Sequence, residues 1–327
     1  MSAHNLSFSN VLVTGGAGFI GSHLVDALMK RGLKVTVIDN LSGGRLSNLS
    51  SWLGNPRFRF IRGDMLNPYD LKDALKGCEV VFHLAANPDV KIGPFNTKVD
   101  YEQNILATYN LLEVMRETGE CKKIVFTSTS TVYGEVEKMP TPEDYGPLKP
   151  ISLYGASKLA CEALISGYSH LFGFKSVICR LANIVGSRSG HGVIYDFVRK
   201  LRSNPNRLEV LGDGTQRKSY LYVKDCVEAM LTASEKSVEQ VEIYNIGSED
   251  AVDVATIASI VIREMGLKNV EVHYTGGVEG GRGWKGDVKE MLLDISKIKK
   301  LGWKPKLNSR EAVEQATKDI ISEMKSN

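Results

Sequence analysis

The sequence predicts an α/β protein, a doubly wound parallel sheet with a smaller, mixed α/β substrate domain on its C-terminal side. Three observations predict it. Short β-branched runs alternate with longer helical patterns through the first half, as in a parallel sheet wound with helices. A glycine-rich turn joins the first such run to the first helical pattern. After Arg180 the alternation weakens, which marks a change of domain.

The first run, Val11 to Thr14, leads into glycines at Gly15, Gly16, Gly18 and Gly21, and apolar periodicity continues through Leu24, Leu28 and Met29. This reads as strand, tight turn and helix start. Such a turn needs residues without Cβ where the chain reverses, where backbone approaches a diphosphate, and where helix packs on strand. Gly15, Gly18 and Gly21 form that triplet, spaced G-x-x-G-x-x-G. The N–H groups at the new helix's N-terminus suit an anion. A second strand, Lys34 to Ile38, ends at Asp39. A carboxylate there is placed for the adenosine ribose hydroxyls and would repel a 2′-phosphate, so NAD is expected rather than NADP.

Further strands are predicted over 58–61, 79–83, 122–128 and 175–181, with helices near 19–31, 68–76, 98–118 and 152–172. Asp64, past the third strand, either meets an adenine or caps the following helix. Small Ala85 and Ala86 after the fourth strand let a dinucleotide lie close to backbone. Residues 134–150 carry Pro140, Pro142, Pro147 and Pro150 and cannot form a regular helix. Beyond 180 the pattern predicts a helix near 193–203 and a hairpin turning at Gly212-Asp213-Gly214. A helix over 223–234 and a strand over 243–247 follow. The chain ends with a helix at 254–265, a strand at 270–274, a glycine-rich loop and two more helical stretches. The cofactor domain is placed at 1–180 plus a returning segment of about 223–247. The substrate domain is placed at 181–222 and 248–327.

Net charge is +3 over 41 basic and 38 acidic residues, with no basic arm, so nucleic acid is not an expected partner. No apolar run is long enough to span a membrane. Residues Met1 to Ser9 show no signal-peptide pattern. The five scattered cysteines form no C-x-x-C, which fits reduced thiols in a cytoplasmic protein and no metal site.

Tyr154 and Lys158 form Y-x-x-x-K on a predicted helix, one turn apart on one face. An ammonium beside a phenol favours the phenolate, so Lys158 is expected to lower the pKa of Tyr154 towards neutrality and equip it for proton transfer. Such a pattern arises about once by chance in a chain of this composition. The sequence holds two others. Tyr145/Lys149 brackets Pro147 in a loop, and Tyr220/Lys224 straddles a strand end. Only Tyr154/Lys158 follows the fifth strand beside the expected cofactor crevice. That strand ends in five successive hydroxyl residues, 127–131, which can relay a proton.

T-G-G-A-G-F-I-G, H-L-A-A, S-T-S-T-V-Y-G, Y-G-A-S-K and Y-L-Y-V-K-D together resemble the extended short-chain dehydrogenase/reductase family over nearly the whole chain. Within it the sequence is most similar to the nucleotide-sugar 4-epimerases. The resemblance implies a Rossmann-type domain with tightly bound NAD and a nucleotide-sugar domain. It also implies a homodimer formed through two helices of the NAD domain. The cofactor set would be Gly15, Gly18, Phe19, Ile20, Gly21, Asp39, Asn40, Asp64, Met65, Leu84, Ala85, Ala86, Ser128, Tyr154 and Lys158. Thr129 would share catalysis with Tyr154 and Lys158. The substrate set would be Asn104, Thr129, Ser130, Tyr154, Asn183, Arg217, Lys218, Arg282 and Met291. The family's second diphosphate arginine meets Trp284 here, with Arg282 two residues earlier. Dehydratases and decarboxylases of the family carry acids just after the catalytic hydroxyl. Ser130 and Thr131 stand there instead, which implies oxidation and re-reduction at C4 of a UDP-hexose, with UDP-glucose and UDP-galactose the leading pair. An epimerase of UDP-N-acetylhexosamine or UDP-glucuronate is the alternative, a nucleotide-sugar dehydratase or decarboxylase comes after it, and a non-catalytic NAD-binding protein is the last.

Overall fold

The computed structural model describes residues 7–90, 92–93 and 95–326, so most of the N-terminal segment read for a signal lies outside the described residues. In chain order the first elements are β1 (Asn10–Thr14), α1 (Phe19–Lys30), β2 (Lys34–Asp39), β3 (Phe58–Arg62), α2 (Pro68–Leu75), β4 (Val80–His83) and α3 (Thr97–Asp100). A π-helical turn, Tyr101–Leu106, then leads into α4 (Ala107–Thr118), β5 (Lys123–Thr129), α5 (Leu153–Phe172) and β6 (Lys175–Leu181). There follow β7 (Asn183–Val185), α6 (Val193–Ser203), β8 (Arg207–Val210), β9 (Arg217–Lys218), β10 (Tyr220–Tyr222), α7 (Val223–Lys236), β11 (Val241–Ile246) and β12 (Val252–Asp253). The last are α8 (Val254–Glu264), β13 (Glu271–Tyr274), β14 (Glu290–Met291), α9 (Ser296–Lys300) and α10 (Ser309–Ser326).

Local chemistry explains several boundaries. Pro68 opens α2 behind Asn67, whose side chain accepts from the Tyr69 N–H. Gly119 closes α4 in the left-handed conformation at φ 64°. The predicted helix over 98–118 is interrupted by its π turn, where the Thr108 hydroxyl donates to the Asn104 carbonyl at 2.6 Å.

Seven strands form one parallel sheet, in the order β11-β6-β5-β4-β1-β2-β3. β1 lies between β2 and β4, with Thr14 level with Ile38 on one side and His83 on the other. The winding reverses there, and the crevice of such a sheet opens beyond the carboxyl ends of those strands. The core is apolar and tight, with Leu12, Leu71, Leu75, Val81, Leu111, Leu112, Ile124 and Ile165 all fully buried.

The chain divides into two compact units. One runs to Val132 and adds Leu153–Arg180 and Met230–Tyr244; the other holds Tyr133–Ser152, Leu181–Ala229 and everything from Asn245 on. The second therefore takes in the proline-rich segment, which sequence places with the first. The reason is a short ladder: the Thr141 N–H donates to the Leu292 carbonyl, and the Asp294 N–H donates to the Thr141 carbonyl, both at 2.9 Å. The second unit's own core joins α6, α8 and α10 through Val198, Leu201, Leu208, Val210, Ile257, Val261, Ala312 and Val313.

The predicted hairpin at 212–214 is not formed. Gly212 and Gly214 do turn, at φ +91° and +83°. The strands beside them diverge, however: β8 pairs in parallel with β13, while β9 pairs with β12 and β14. All five cysteines are buried and none is in a disulfide. Among the described residues no helix is long and apolar enough to cross a membrane, and no cluster of side chains could hold a metal ion.

Candidate active site

The turn after β1 is closed by backbone. The Gly15 N–H donates to the Ile38 carbonyl at 2.9 Å and the Gly18 N–H to the Gly15 carbonyl at 3.1 Å. A Cβ on Gly15 would stand 2.8 Å from the Ala85 nitrogen, and one on Gly21 only 2.2 Å from the Gly15 carbonyl oxygen. Both are backbone collisions, so the bare glycines are a steric requirement of the turn and of its approach to the chain after β4. Thr14 ties the two together, its Oγ1 accepting from the Leu84 and Ala85 N–H groups at 3.2 and 3.1 Å. No side chain caps α1 and no acid occupies its first turn, which leaves its N-terminus suited to a phosphate.

Asp39 ends β2 where sequence places it. Its Oδ2 accepts from the Ala17 N–H at 2.9 Å and its Oδ1 from the Leu41 N–H at 2.8 Å. Each oxygen keeps a lone pair for a ribose hydroxyl. Asn40 and Asp64 meet, with the Asn40 amide donating to the Asp64 carboxylate at 3.3 Å, and the other Asp64 oxygen accepting from the Leu66 N–H. Phe19 and Ile20 are half-buried in the first turn of α1, and Leu84, Ala85 and Ala86 are half-buried after β4. Met65 turns inward and packs in the core. Glycine cradle, open helix end and ribose-facing acid together fit a dinucleotide.

Thr129 ends β5 beside the first turn of α5, and its hydroxyl is hydrogen-bonded to the Tyr154 phenol. The Thr131 N–H and hydroxyl both donate to the Thr129 oxygen, at 3.2 and 3.1 Å. With its two acceptor positions filled, Thr129 keeps its own proton to give to Tyr154. Ser130 is buried beside them, and no carboxylate stands at 130 or 131. The Ser128 hydroxyl turns away and donates to Glu162, which a buried Arg180 also holds at 2.7 Å.

The expected Lys158 effect on Tyr154 is not found. Burial pushes the phenol up to about 12, the negative charge of Asp100 adds to it, and the Thr129 hydrogen bond pulls it down. Lys158 donates to the Thr127 carbonyl at 2.9 Å and lies 4.6 Å from the centre of the Phe126 ring. Its surroundings strip water from the ammonium and drive its own pKa down to about 8. At the end of β4, His83 is wedged between the Thr14 and Thr108 hydroxyls at 2.8 and 3.0 Å. Burial holds it neutral, with a pKa pushed down to about 3.

The substrate-side residues fall in two places. In the first unit Asn104 is 2 % exposed and already engaged: its Oδ1 accepts from the Asn87 N–H at 2.8 Å, and its Nδ2 donates to Ser157 at 2.8 Å. In the second unit Asn183 keeps a buried Nδ2 without a protein partner. Lys218 pairs with Asp287 at 2.5 Å and lies 5.6 Å from the centre of the Trp284 ring. The Arg282 guanidinium donates to the Asp287 carbonyl at 3.0 Å and pairs with Glu135. Met291 sits beside Lys218 through the pairing of β14 with β9. Arg217 is exposed. Asp100, Ser157, Asp287 and Glu135 escape a sequence reading. Only Asp100 leaves a signal, four residues before Asn104 on a helical face.

Residues 11–247 match the NAD dependent epimerase/dehydratase family. The chain belongs to that family. NAD is its cofactor. The chain is 35 % identical over 97 % of its length, and 99 % of the relative's, to a Methanocaldococcus jannaschii protein provisionally named UDP-glucose 4-epimerase. It is 33 % identical over 95 % of its length, and 69 % of the relative's, to UDP-glucuronic acid decarboxylase 1 of Arabidopsis thaliana. Among solved structures, a UDP-galactose 4-epimerase superposes with a TM-score of 0.84 at 44 % identity, covering 96 % of this chain and 99 % of that one. Relatives of this family member thus include both epimerases and a decarboxylase.

Proposed function

We propose that the protein is an NAD-dependent 4-epimerase of a UDP-hexose, with UDP-glucose and UDP-galactose as its pair. The observation that carries this reading is the hydrogen-bonded Tyr154 and Thr129 with uncharged Ser130 and Thr131 beside them. Removal of water or of carbon dioxide from the sugar calls for a further acid or base, and these two positions supply none. Gly15, Gly18, Gly21 and Asp39 would hold the cofactor, and Lys158 its nicotinamide ribose. NAD, when bound, accepts a hydride from the sugar and returns it, and in its oxidised form brings a positive charge that favours the phenolate. Tyr154 takes the proton of the 4-hydroxyl, with Thr129 donating to the phenolate oxygen. A 4-keto sugar results. Once the sugar presents its other face, Tyr154 returns the proton and C4 is inverted.

Asn183, Lys218, Arg282 and Met291 would serve the nucleotide-sugar. The relatives' names support a UDP-linked substrate. A homodimer through α4 and α5 is part of the same proposal, supported by Tyr109, Leu171 and Phe172, which those helices expose. The buried thiols, none of them in a disulfide, support a reducing, cytoplasmic setting.

Proton NMR of the purified protein with UDP-galactose and no added NAD is expected to show UDP-glucose appearing, with the same equilibrium reached from either side. No conversion even with added NAD overturns the UDP-hexose assignment and turns the search to UDP-N-acetylglucosamine and UDP-glucuronate. A pentose product from UDP-glucuronate would instead show a decarboxylase.

The cradle has its own test. Gly21→Ala puts a methyl against backbone that cannot move cheaply. Overpacking of this kind costs about 1–3 kcal/mol, so NAD affinity is expected to fall roughly 10- to 100-fold. Titration of nucleotide-stripped protein by calorimetry reads it. Gly167→Ala, where the added methyl meets open space on α5, is expected to leave the affinity unchanged.

A further inference from the structure

We propose that Asp100 is a positioning residue that ties the loop after β4 to the catalytic end of α5 and sets a negative charge beside the first turn of that helix, which carries Tyr154. The inference rests on Tyr154 being the proton-transfer group.

The geometry is specific. Asp100 is 2 % exposed at the end of α3. Its Oδ1 accepts from the Asn87 amide at 3.0 Å and from the Asn104 amide at 3.3 Å. Asn104 passes the link on to the Ser157 hydroxyl, which donates to the Tyr154 carbonyl at 2.8 Å. One carboxylate oxygen thus joins the chain after the cofactor-lining alanines, the π turn and the first turn of α5. The other oxygen, Oδ2, is buried with no protein partner. A Cβ on Gly93 would stand 3.7 Å from it and 3.4 Å from the Leu153 Cβ, so the oxygen and the first residue of α5 both border that glycine.

Two amides donate to one side of the carboxylate and so favour its charged form, and that charge acts through a medium that screens poorly. The titratable groups facing the pair are Asp89 from the loop after β4, which acts on Asp100, and Cys161 from α5, which acts on Tyr154. Burial and Asp89 raise Asp100 above the ordinary carboxylate range, while the Asn87 hydrogen bond lowers it. Asp100 in turn raises the phenol. Burial is the larger cause, and Asp100 adds to it in favouring the neutral phenol over a bare phenolate.

Proton removal needs the phenolate, so kcat/KM falls as pH drops through the phenol's pKa. Removing a nearby negative charge lowers that pKa. Asp100→Asn keeps an oxygen for both amides and removes the charge, with an amide nitrogen in the place of Oδ2. The acid limb of kcat/KM is therefore expected to move to lower pH by about one unit, with thermal stability and retained NAD unchanged. A loss of rate at all pH values with the limb unmoved overturns the proposal, since that is what a purely structural residue would do. Should Asp100→Asn fail to fold, Asp100→Ser is read in the same way, and an unmoved limb in it is equally fatal. Tyr154→Phe separates the two readings. If Tyr154→Phe is inactive and the limb stays put in the Asp100 variants, only the role of Asp100 falls. If Tyr154→Phe is fully active, the base is elsewhere and both fall.

Discussion

Tyr154→Phe is expected to lower kcat for epimerisation roughly 10²- to 10⁴-fold, the range general acid–base groups contribute. The substitution is conservative in shape: the ring and its packing remain, and only the phenolic oxygen is lost. Fold and cofactor retention should therefore survive, and the melting temperature should stay near wild type. The loss should fall on kcat rather than KM, because the phenol works on the proton in flight. Thr129 sharpens the test. Thr129→Val keeps the shape and removes the donor that pulls the phenol down, so it should cost less than Tyr154→Phe and displace the acid limb of the profile upwards. Full activity in Tyr154→Phe would show that another group moves the proton.

Tyr154 is legible in the sequence and its electrostatics are not. Y-x-x-x-K on one helical turn is a local pattern, as are the glycine turn and the acid that ends β2. The residues that fix the geometry are the residues in the motif, or bind it directly. What Lys158 does to Tyr154 depends on a third party. Phe126 and the Thr127 carbonyl hold the ammonium, and burial acts on both members of the pair. The chain's spacing carries no record of that.

Strand pairing divides in the same way. The order of β1 to β6 follows from alternation and right-handed crossovers, whose rules are local and few. The turn at Gly212–Gly214 is also local and does exist. The partner of β8 is β13, far along the chain, and the two helices and four strands between them decide nothing about it in advance. The proline-rich segment is similar. Its prolines exclude a helix, yet its membership of the second unit depends on Thr141 meeting Leu292 and Asp294, which no nearby residue announces. Asp100 was hidden for a different reason: a lone aspartate on an amphipathic helix reads as a solvated residue until its burial is known.

Arg180→Met is expected to destabilise the protein by about 3–5 kcal/mol, since it leaves Glu162 as a buried charge without its partner. Arg180 and Glu162 are both buried, and the guanidinium holds the carboxylate through Nε at 3.1 Å and a terminal nitrogen at 2.7 Å. At roughly 2–4 °C per kcal/mol for a unit of this size, the melting temperature should fall by about 10 °C. The pair bears on the site as well as on the fold. Glu162 lies one turn beyond Lys158 on α5, offsets part of the burial that lowers the pKa of that lysine, and anchors Ser128 next to Thr129. The double variant Arg180→Met, Glu162→Leu tests the cause. If an uncompensated charge is the source of the loss, replacing both partners with apolar groups of similar volume should restore most of the melting temperature. It should not restore turnover fully, because the Ser128 hydroxyl loses its acceptor and Lys158 loses a nearby negative charge. A double variant as unstable as the single one would mean that packing, and not charge, is what Arg180 supplies. A double variant with wild-type turnover would show that the pair serves the fold alone, leaving Thr129 and Tyr154 to hold their geometry without it.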